Sequence, residues 1–138
     1  MLPKVSEYMD VKVHALQPSI DIWDAVSFLL EHKVTGAPVV DADNNLVGIL
    51  SETDCLTLLS VGSGDDRPKG TVADFMTSDV ISVSARMDIY YVAGLFLGHT
   101  FRRLPVVDGD GKLMGAITRF DVLRSVKTNL EKGTVREG

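Results

Sequence analysis

Apolar and polar positions alternate along the chain in an order that predicts strand, helix, strand, strand and helix. Val13 to Leu16 is a short apolar strand, and Asp21 is suited to cap the helix that follows it. Apolar residues then recur at the spacing of one helix face as far as Lys33. The rest of this half is predicted as strands over 37–40 and 46–50, with an Asp43-Asn44-Asn45 turn between them, and a helix from 52 to about 60.

The same pattern returns in the second half of the chain. A shift of 67 positions lays TGAPVVDADNNLVGILSETDCL on RRLPVVDGDGKLMGAITRFDVL without a gap, and 16 of the 52 residues from 5 to 56 are then identical. The second unit is predicted as strands over 80–83, 104–107 and 113–117, a turn at 110–111, and helices over 88–98 and from 119. We therefore predict repeats over 1–60 and 71–138, joined by a Gly-rich polar linker over 61–70.

This repeat predicts an α/β (α+β) fold made of two βαββα units. A three-stranded sheet with two helices on one face leaves its other face bare. Two such units in one chain can bury those faces against each other, so we expect them to pack through their sheets about a pseudo-twofold axis. That packing would create two related clefts, and clefts between similar halves are common ligand sites.

Composition narrows the classes of partner. The net charge is −5 and the pI is about 5.0, which argues against nucleic-acid binding because that affinity rests on clustered Lys and Arg. The apolar runs are too short to span a bilayer, so we expect no membrane partner. The single cysteine, Cys55, agrees with a reducing compartment, and we expect a cytoplasmic protein.

The third strand of each repeat runs into the same motif, Gly-x-x-Ser/Thr-x-x-Asp, which we call the device. It is GILSETD at 48–54 in the first repeat and GAITRFD at 115–121 in the second. One interpretation is structural: the hydroxyl and the carboxylate cap the helix that follows. The other is functional: Asp54 and Asp121 each accept hydrogen bonds from a vicinal diol, such as a ribose. The glycine that opens the device either allows a close backbone approach or only bends the strand.

The two devices, together with the segments VSEYM and TVADFM that lead the two units, resemble a pair of cystathionine beta-synthase (CBS) domains, the Bateman module. The resemblance covers about Val5 to Lys127. It implies a regulatory module that needs no cofactor and binds AMP, ADP or ATP in clefts between the repeats, with S-adenosylmethionine as another family ligand. It also implies a homodimer that regulates a protein whose identity the sequence does not give.

The resemblance also assigns two shared sites, each with a ribose-binding device from one repeat and residues of the other repeat. Site A combines Ser51, Glu52, Thr53 and Asp54 with Ile81, Arg102 and Arg103. Site B combines Thr118, Arg119, Phe120 and Asp121 with His14, Thr35 and Gly36. In the gamma subunit of AMP-activated protein kinase, a member of the family, the two positions before the second strand can hold His-Arg facing the nucleotide phosphate. Arg102-Arg103 fits that pattern and Thr35-Gly36 departs from it. We therefore expect phosphorylated nucleotides to prefer site A, and site B to suit an uncharged group or to stay empty.

Alternatives remain open for the charged residues and for the function. Arg102 and Arg103 can instead cover apolar surface and pair with acids such as Asp108. Arg119 either adds a positive charge to site B or is an exposed residue at a helix start. The chain shows no spacing typical of a catalytic triad or a metal cluster, so we do not expect an enzyme. A structural dimerisation module with vestigial clefts is the alternative function.

Overall fold

The computed structural model describes residues 2–61 and 69–137, with the backbone alone at 59, 61 and 133–137. Residues 62–68 of the predicted linker lie outside the described residues. The helices are α1 (Val5–Tyr8), α2 (Ile22–His32), α3 (Glu52–Val61), α4 (Val72–Phe75), α5 (Ile89–Gly98) and α6 (Arg119–Glu137). The strands are β1 (Gly36–Val40), β2 (Leu46–Ser51), β3 (Val83–Ser84), β4 (Arg103–Val107) and β5 (Leu113–Thr118). This mixture of helices and small sheets is the α+β fold that the sequence predicts.

The chain forms two compact units that do not coincide with the sequence repeats. The central unit is His14–Val80, and the terminal unit combines Met1–Val13 with Ile81–Gly138. In the central unit β1 pairs antiparallel with β2, from Gly36 opposite Ser51 to Val40 opposite Leu46. In the terminal unit the strand order is β3-β4-β5, with β3 parallel to β4 and β4 antiparallel to β5.

The first strand of each repeat is the element that the sequence predicted worst. The expected strand over 13–16 is reduced to one parallel bridge between Leu16 and Val39, and the expected strand over 80–83 is displaced to Val83–Ser84. Both neighbouring strands contain a proline at the equivalent position, Pro38 and Pro105. A proline has no N–H with which to extend the parallel ladder towards the start of the chain, so the pairing stops there.

Two short segments, 4–10 and 71–77, complete the units, and we call them leaders because each lies at the start of one sequence repeat. Each leader joins the unit that consists mainly of the other repeat. In the terminal unit Val5 N–H donates to the Met87 carbonyl at 2.9 Å. In the central unit Val72 N–H donates to the Ile20 carbonyl at 2.9 Å. Val5 and Val72 are both fully buried, each in the core of the unit that its leader joins. The sequence repeat therefore predicts the elements, but it does not show that the leaders are exchanged.

The capping residues fix where the first long helix of each unit begins. Asp21 accepts hydrogen bonds from the backbone N–H groups of Trp23 and Asp24, and Asp88 accepts one from Tyr91. Each helix then buries an apolar face against its sheet, as the periodicity predicts. Within the described ranges, no helix is both long and apolar enough to cross a membrane.

Candidate functional site

The device of the central unit lies where β2 passes into α3. Asp54 Oδ2 accepts hydrogen bonds from Ser51 N–H at 2.9 Å and from the Ser51 hydroxyl at 3.0 Å. The Ser51 hydroxyl oxygen accepts in turn from Asp54 N–H at 3.2 Å. This reciprocal arrangement satisfies backbone donors at the start of α3, which an uncapped helix leaves without partners.

The terminal unit repeats the device where β5 passes into α6. Asp121 Oδ2 accepts from Thr118 N–H and from the Thr118 hydroxyl, both at 2.9 Å, and Asp121 N–H donates to that hydroxyl at 3.2 Å. The capping interpretation therefore holds in both units. It does not exclude the diol interpretation, because capping occupies only Oδ2 and leaves Oδ1 of each carboxylate to other partners.

The second carboxylate oxygen has a different partner in each unit. In the central unit the Thr77 hydroxyl lies 3.5 Å from Asp54 Oδ1, at the outer limit of a hydrogen bond. In the terminal unit the Arg124 guanidinium lies 3.3 Å from Asp121 Oδ1 and also donates to the Tyr8 carbonyl at 3.4 Å. The sequence analysis did not select Thr77, Arg124 or Tyr8. Two of these three residues belong to leaders, whose exchange the repeat does not reveal.

The glycines that open the devices are where the leaders approach most closely. A Cβ added to Gly48 would lie 2.6 Å from Met76 Sδ and 3.0 Å from the Thr77 carbonyl oxygen. A Cβ added to Gly115 would collide with the carbonyl oxygen of Asp10. Asp10 is held there by two backbone hydrogen bonds, because its N–H donates to the Ala116 carbonyl and its carbonyl accepts from the Ala116 N–H. Of the two alternatives, the structure supports the close backbone approach.

Arg102 directly precedes β4 of the terminal unit, and Arg103 is the first residue of that strand. Arg102 is exposed, whereas Arg103 is partly buried and its Nε has no hydrogen-bond partner among the described residues. Within the described part of the chain neither guanidinium forms an ion pair. Asp108, the acid expected as an alternative partner, instead accepts from the N–H groups of Asp110 and Lys112. Both guanidiniums thus keep donors for an anion.

Arg119 has a different setting from the arginine pair. Its guanidinium donates to the His99 carbonyl at 3.1 Å and reaches the Phe96 carbonyl at 3.5 Å, so it ties the start of α6 to the end of α5. A cation at the carbonyl end of a helix is favoured by the helix dipole. The neighbouring Phe120 is 71% exposed. Arg119, the positive charge that the sequence analysis proposed for site B, is therefore already hydrogen-bonded within the terminal unit.

The remaining predicted residues are divided between the two units. Glu52 and Thr53 are exposed on the first turn of α3, and Ile81 is exposed ahead of β3. In the central unit the Thr35 carbonyl accepts from Glu52 N–H at 2.8 Å. Thr35 and Gly36, assigned to site B, therefore lie beside Glu52 and Ser51 of site A. The exposed His14 ring stacks on His32 with 3.9 Å between centroids.

Each predicted site draws on both units. Site A takes Ser51, Glu52, Thr53 and Asp54 from the central unit and its other three residues from the terminal unit. Site B takes His14, Thr35 and Gly36 from the central unit and the rest from the terminal unit. In the described ranges, no three His, Cys, Asp or Glu side chains cluster as metal ligands.

Cys55 follows Asp54 on the first turn of α3. Burial, and secondly the negative charge of the adjacent Asp54, raise the pKa of the Cys55 thiol. The neutral thiol is therefore favoured, and the thiolate that would act as a nucleophile is disfavoured. Cys55 packs, partly buried, against the core of the central unit.

Solved structures of other proteins resemble this chain along most of its length. CBSX2 from Arabidopsis thaliana gives a TM-score of 0.82 at 33% identity, covering 95% of this chain and 99% of that one. CBSX2 in complex with AMP gives a TM-score of 0.78 at 38% identity, covering 91% of this chain and 96% of that one. The cytosolic domain of the Mg²⁺ channel MgtE in complex with ATP gives 0.75 at 28% identity, covering 88% of this chain and 48% of that one.

Sequence comparison also finds proteins with CBS domains. The chloroplastic CBS domain-containing protein CBSX1 of Arabidopsis thaliana is 34% identical over 149 aligned positions, which cover 88% of this chain. The chain spans 63% of the length of that relative. The family model of the CBS domain matches twice, at residues 5–61 and 72–128. The chain therefore belongs to the CBS domain family and carries two CBS domains in tandem.

Proposed function

We propose that this protein is a regulatory module that binds AMP, ADP or ATP, with one ribose-binding carboxylate in each unit. The observation that carries the proposal is the geometry of Asp54 and Asp121. In both, Oδ2 is held by the cap while Oδ1 lies outside it. A carboxylate fixed in this way accepts diol hydroxyls without first having to be ordered. The AMP and ATP complexes of related structures support an adenosine ligand.

We further propose that site A is the preferred site for phosphorylated nucleotides. Arg102 and Arg103 carry guanidiniums without ion pairs in the described part of the chain, whereas Arg119 of site B is engaged by the carbonyls of α5. Each arginine–phosphate hydrogen bond contributes about 1.5 to 3 kcal/mol. The positions corresponding to the arginines in site B are Thr35 and Gly36, which bring no charge.

Calorimetric titration with AMP, ADP, ATP, S-adenosylmethionine and adenosine tests both proposals. We expect the Arg102→Ala/Arg103→Ala variant to lose about ten- to a hundredfold in nucleotide affinity for each charge-assisted hydrogen bond to phosphate that disappears. Adenosine has no phosphate, so its affinity should change little. Asp54→Ala should weaken both nucleotide and nucleoside, because the ribose is common to them.

A matched control removes two positive charges elsewhere in the same unit. Arg86→Ala/Lys127→Ala changes the net charge by the same amount without touching β4. If this control weakens AMP as much as the arginine pair does, the effect is general electrostatics and the phosphate assignment is wrong. If Asp54→Ala leaves every adenosine compound unaffected, the ribose assignment is wrong.

The alternative function is a structural module that acts by dimerisation alone, and a thermal-shift screen separates it from ligand sensing. A ligand present at a hundred times its dissociation constant stabilises the native state by about 2.7 kcal/mol. Stabilisation by an adenosine compound supports the sensing function. Absence of any shift with all five compounds supports the structural one. We propose no catalytic role, and conversion of AMP or ATP by the purified protein over hours would contradict that.

We also propose a homodimer, because the same apolar pair is exposed in both units. Leu30 and Leu97 are equivalent in the repeat, as are Leu56 and Leu123, and all four are between 59% and 89% exposed. Large apolar side chains exposed at equivalent positions of both units suit the self-complementary interface of a second copy. The regulated protein partner and the cytoplasmic location remain predictions.

Sedimentation velocity tests the dimer. Leu30→Asp/Leu97→Asp should shift the protein to monomer, because four charges would enter the interface of two copies. Val11→Asp is a suitable control, since Val11 is 66% exposed but lies outside the four positions. A dimer that survives the leucine changes, or a wild-type protein that sediments as a monomer, would contradict the proposal.

A further inference from the structure

We infer that Arg124 is an internal competitor for the ribose-binding carboxylate Asp121, and that ligand binding at Asp121 loosens the N-terminal leader. This inference rests on the proposed function, because it concerns how one of the two carboxylates is regulated. It depends on contacts within the terminal unit alone, among Asp121, Arg124 and Tyr8.

The Asp121 carboxylate has few free acceptor positions. An ionised carboxylate has about four lone-pair positions, two on each oxygen. The Thr118 N–H and hydroxyl occupy the two positions on Asp121 Oδ2, at 2.9 Å each. Only the two positions on Oδ1 remain, and a vicinal diol that donates both hydroxyls needs both of them. Arg124, at 3.3 Å, already uses one.

The Arg124 guanidinium also contacts Tyr8 of the N-terminal leader. The same nitrogen lies 3.4 Å from the carbonyl oxygen of Tyr8, at the end of α1, and the guanidinium carbon lies 5.2 Å from the centre of the Tyr8 ring. A cation over an aromatic face at this distance is attracted by the ring. Arg124 therefore connects the binding carboxylate to the leader, and a diol that displaces it from Asp121 weakens one of the leader's attachments.

The central unit provides the contrast. The residue equivalent to Arg124 is Thr57, whose hydroxyl donates to the Thr53 carbonyl within its own helix. Among the described residues of its unit, only the Thr77 hydroxyl meets Asp54 Oδ1, at 3.5 Å, and a hydroxyl can rotate to accept instead of donate. Asp54 is thus more open to a diol than Asp121.

Adenosine binding in an Asp54→Ala background isolates the Asp121 carboxylate. The Arg124–Asp121 pair is partly exposed, with the arginine side chain 51% accessible, so its strength is that of a surface pair. Arg124→Gln should therefore tighten adenosine by about 1.4- to fivefold, because the ligand no longer competes with the guanidinium. Asp121→Ala in the same background should abolish binding.

Salt gives a second readout with an uncommon sign. Raising the NaCl concentration screens the Arg124–Asp121 pair but has no charge to screen on adenosine. Adenosine should therefore bind the Asp54→Ala protein more tightly at high salt, and this gain should shrink in the Arg124→Gln form. A competitor role predicts this interaction between salt and substitution, whereas a merely structural role of Arg124 does not.

Amide hydrogen exchange tests the connection to the leader. The backbone N–H groups of Val5 and Asp10 donate to the Met87 and Ala116 carbonyls, and their exchange reports whether the leader is docked. Arg124→Gln alone should accelerate this exchange, and adenosine should accelerate it in the Asp54→Ala protein but not in the Arg124→Gln form. Thr57→Ala is the matched control in the central unit and should alter neither adenosine affinity nor leader exchange.

Two results would overturn the inference. If Arg124→Gln weakens adenosine or leaves it unchanged, Arg124 does not compete with the ligand. If adenosine protects the leader amides instead of exposing them, the direction of coupling is wrong. Failure of the proposed function has a different signature, because then no adenosine compound binds the wild-type protein at all.

Discussion

The central and terminal units contain the same device, yet one oxygen of its carboxylate has different neighbours in the two units. Asp54 and Asp121 share the cap, with almost identical distances to Ser51 and Thr118. They differ at Oδ1, where a hydroxyl at the limit of hydrogen bonding faces Asp54 and an arginine faces Asp121. A motif repeated at constant spacing therefore fixes the local backbone, while the residues packed around it decide how available each carboxylate is.

The largest expected difference between the units concerns one core position. Leu58 and Ser125 are equivalent in the repeat and both are almost completely buried. Leu58→Ala should lower the free energy of unfolding by about 2 to 5 kcal/mol, because it removes buried methyl groups and leaves a cavity. Ser125→Ala should be neutral or stabilising, since the Ser125 hydroxyl has no partner among the described residues.

Urea denaturation measures both changes. The fluorescence of Trp23, the only tryptophan, reports on the central unit, and circular dichroism at 222 nm reports on all helices. Comparable destabilisation by both substitutions would show that the Ser125 hydroxyl makes a hydrogen bond that matters in solution.

A second comparison concerns the glycines against which the leaders dock. Gly115→Ala would drive a Cβ into the Asp10 backbone, which cannot move without breaking two hydrogen bonds, so we expect a loss of about 1 to 3 kcal/mol or more. Gly48→Ala meets the Met76 sulfur, a flexible side chain that can turn away, and the Thr77 carbonyl oxygen at 3.0 Å, a milder backbone contact than the one at Gly115. Its loss of stability, measured by the same denaturation curves, should be the smaller of the two. The reverse order would contradict the packing described for Asp10.

The cap itself should contribute equally in both units. Asp54→Ala and Asp121→Ala each remove the carboxylate half of the capping arrangement and leave the Ser51 or Thr118 hydroxyl in place, so the cost should lie towards the lower end of the roughly 0.5 to 2 kcal/mol that is typical of a lost cap, at about 0.5 to 1 kcal/mol. Asp121→Ala also removes the exposed ion pair with Arg124, which adds little. Thermal unfolding should therefore show similar decreases in Tm. A much larger decrease for Asp121→Ala would mean that the Arg124 connection to the leader is stronger than a surface pair.

The smallest effect is chemical rather than energetic. Because burial and Asp54 raise the pKa of the Cys55 thiol, alkylation by iodoacetamide should be slow at neutral pH and should accelerate only above the pH at which an ordinary thiol ionises. Asp54→Asn removes the smaller of the two causes, so at a given pH it should modestly accelerate alkylation. Unfolding in urea removes both causes and provides the fast reference rate. Equal rates for native and unfolded protein would contradict the shift.

The sequence predicted ten elements, of which eight appear close to their expected bounds. Periodicity sufficed for α2 and α5, and the Asp caps located their starts correctly. The predicted bounds of the first strand of each repeat were wrong because the neighbouring strand sets its length. Pro38 and Pro105 in those neighbouring strands lack the N–H that further pairing needs. The leader helices α1 and α4 were not predicted, since four residues are too few to show a helical period.

The assignment of residues to sites A and B stays a prediction, and the sequence showed only part of what surrounds these residues. The spacing of the devices identified the capped carboxylates, and the repeat singled out Arg102 and Arg103 as an asymmetry between the halves. The engagement of Arg119 by the end of α5 was not visible, because it joins residues 20 and 23 positions apart on different helices. Nor did the sequence show that Arg124 meets Tyr8, 116 positions away.

By itself, the sequence determined the repeat, the local elements and the two capped carboxylates, because spacing, periodicity and capping act over a few neighbouring residues. Only the tertiary structure decided which leader completes which unit and what faces each free carboxylate oxygen. Those outcomes depend on contacts between distant segments, which nearly identical local sequences leave undetermined. The two halves thus begin from one motif and end with two carboxylates of different availability.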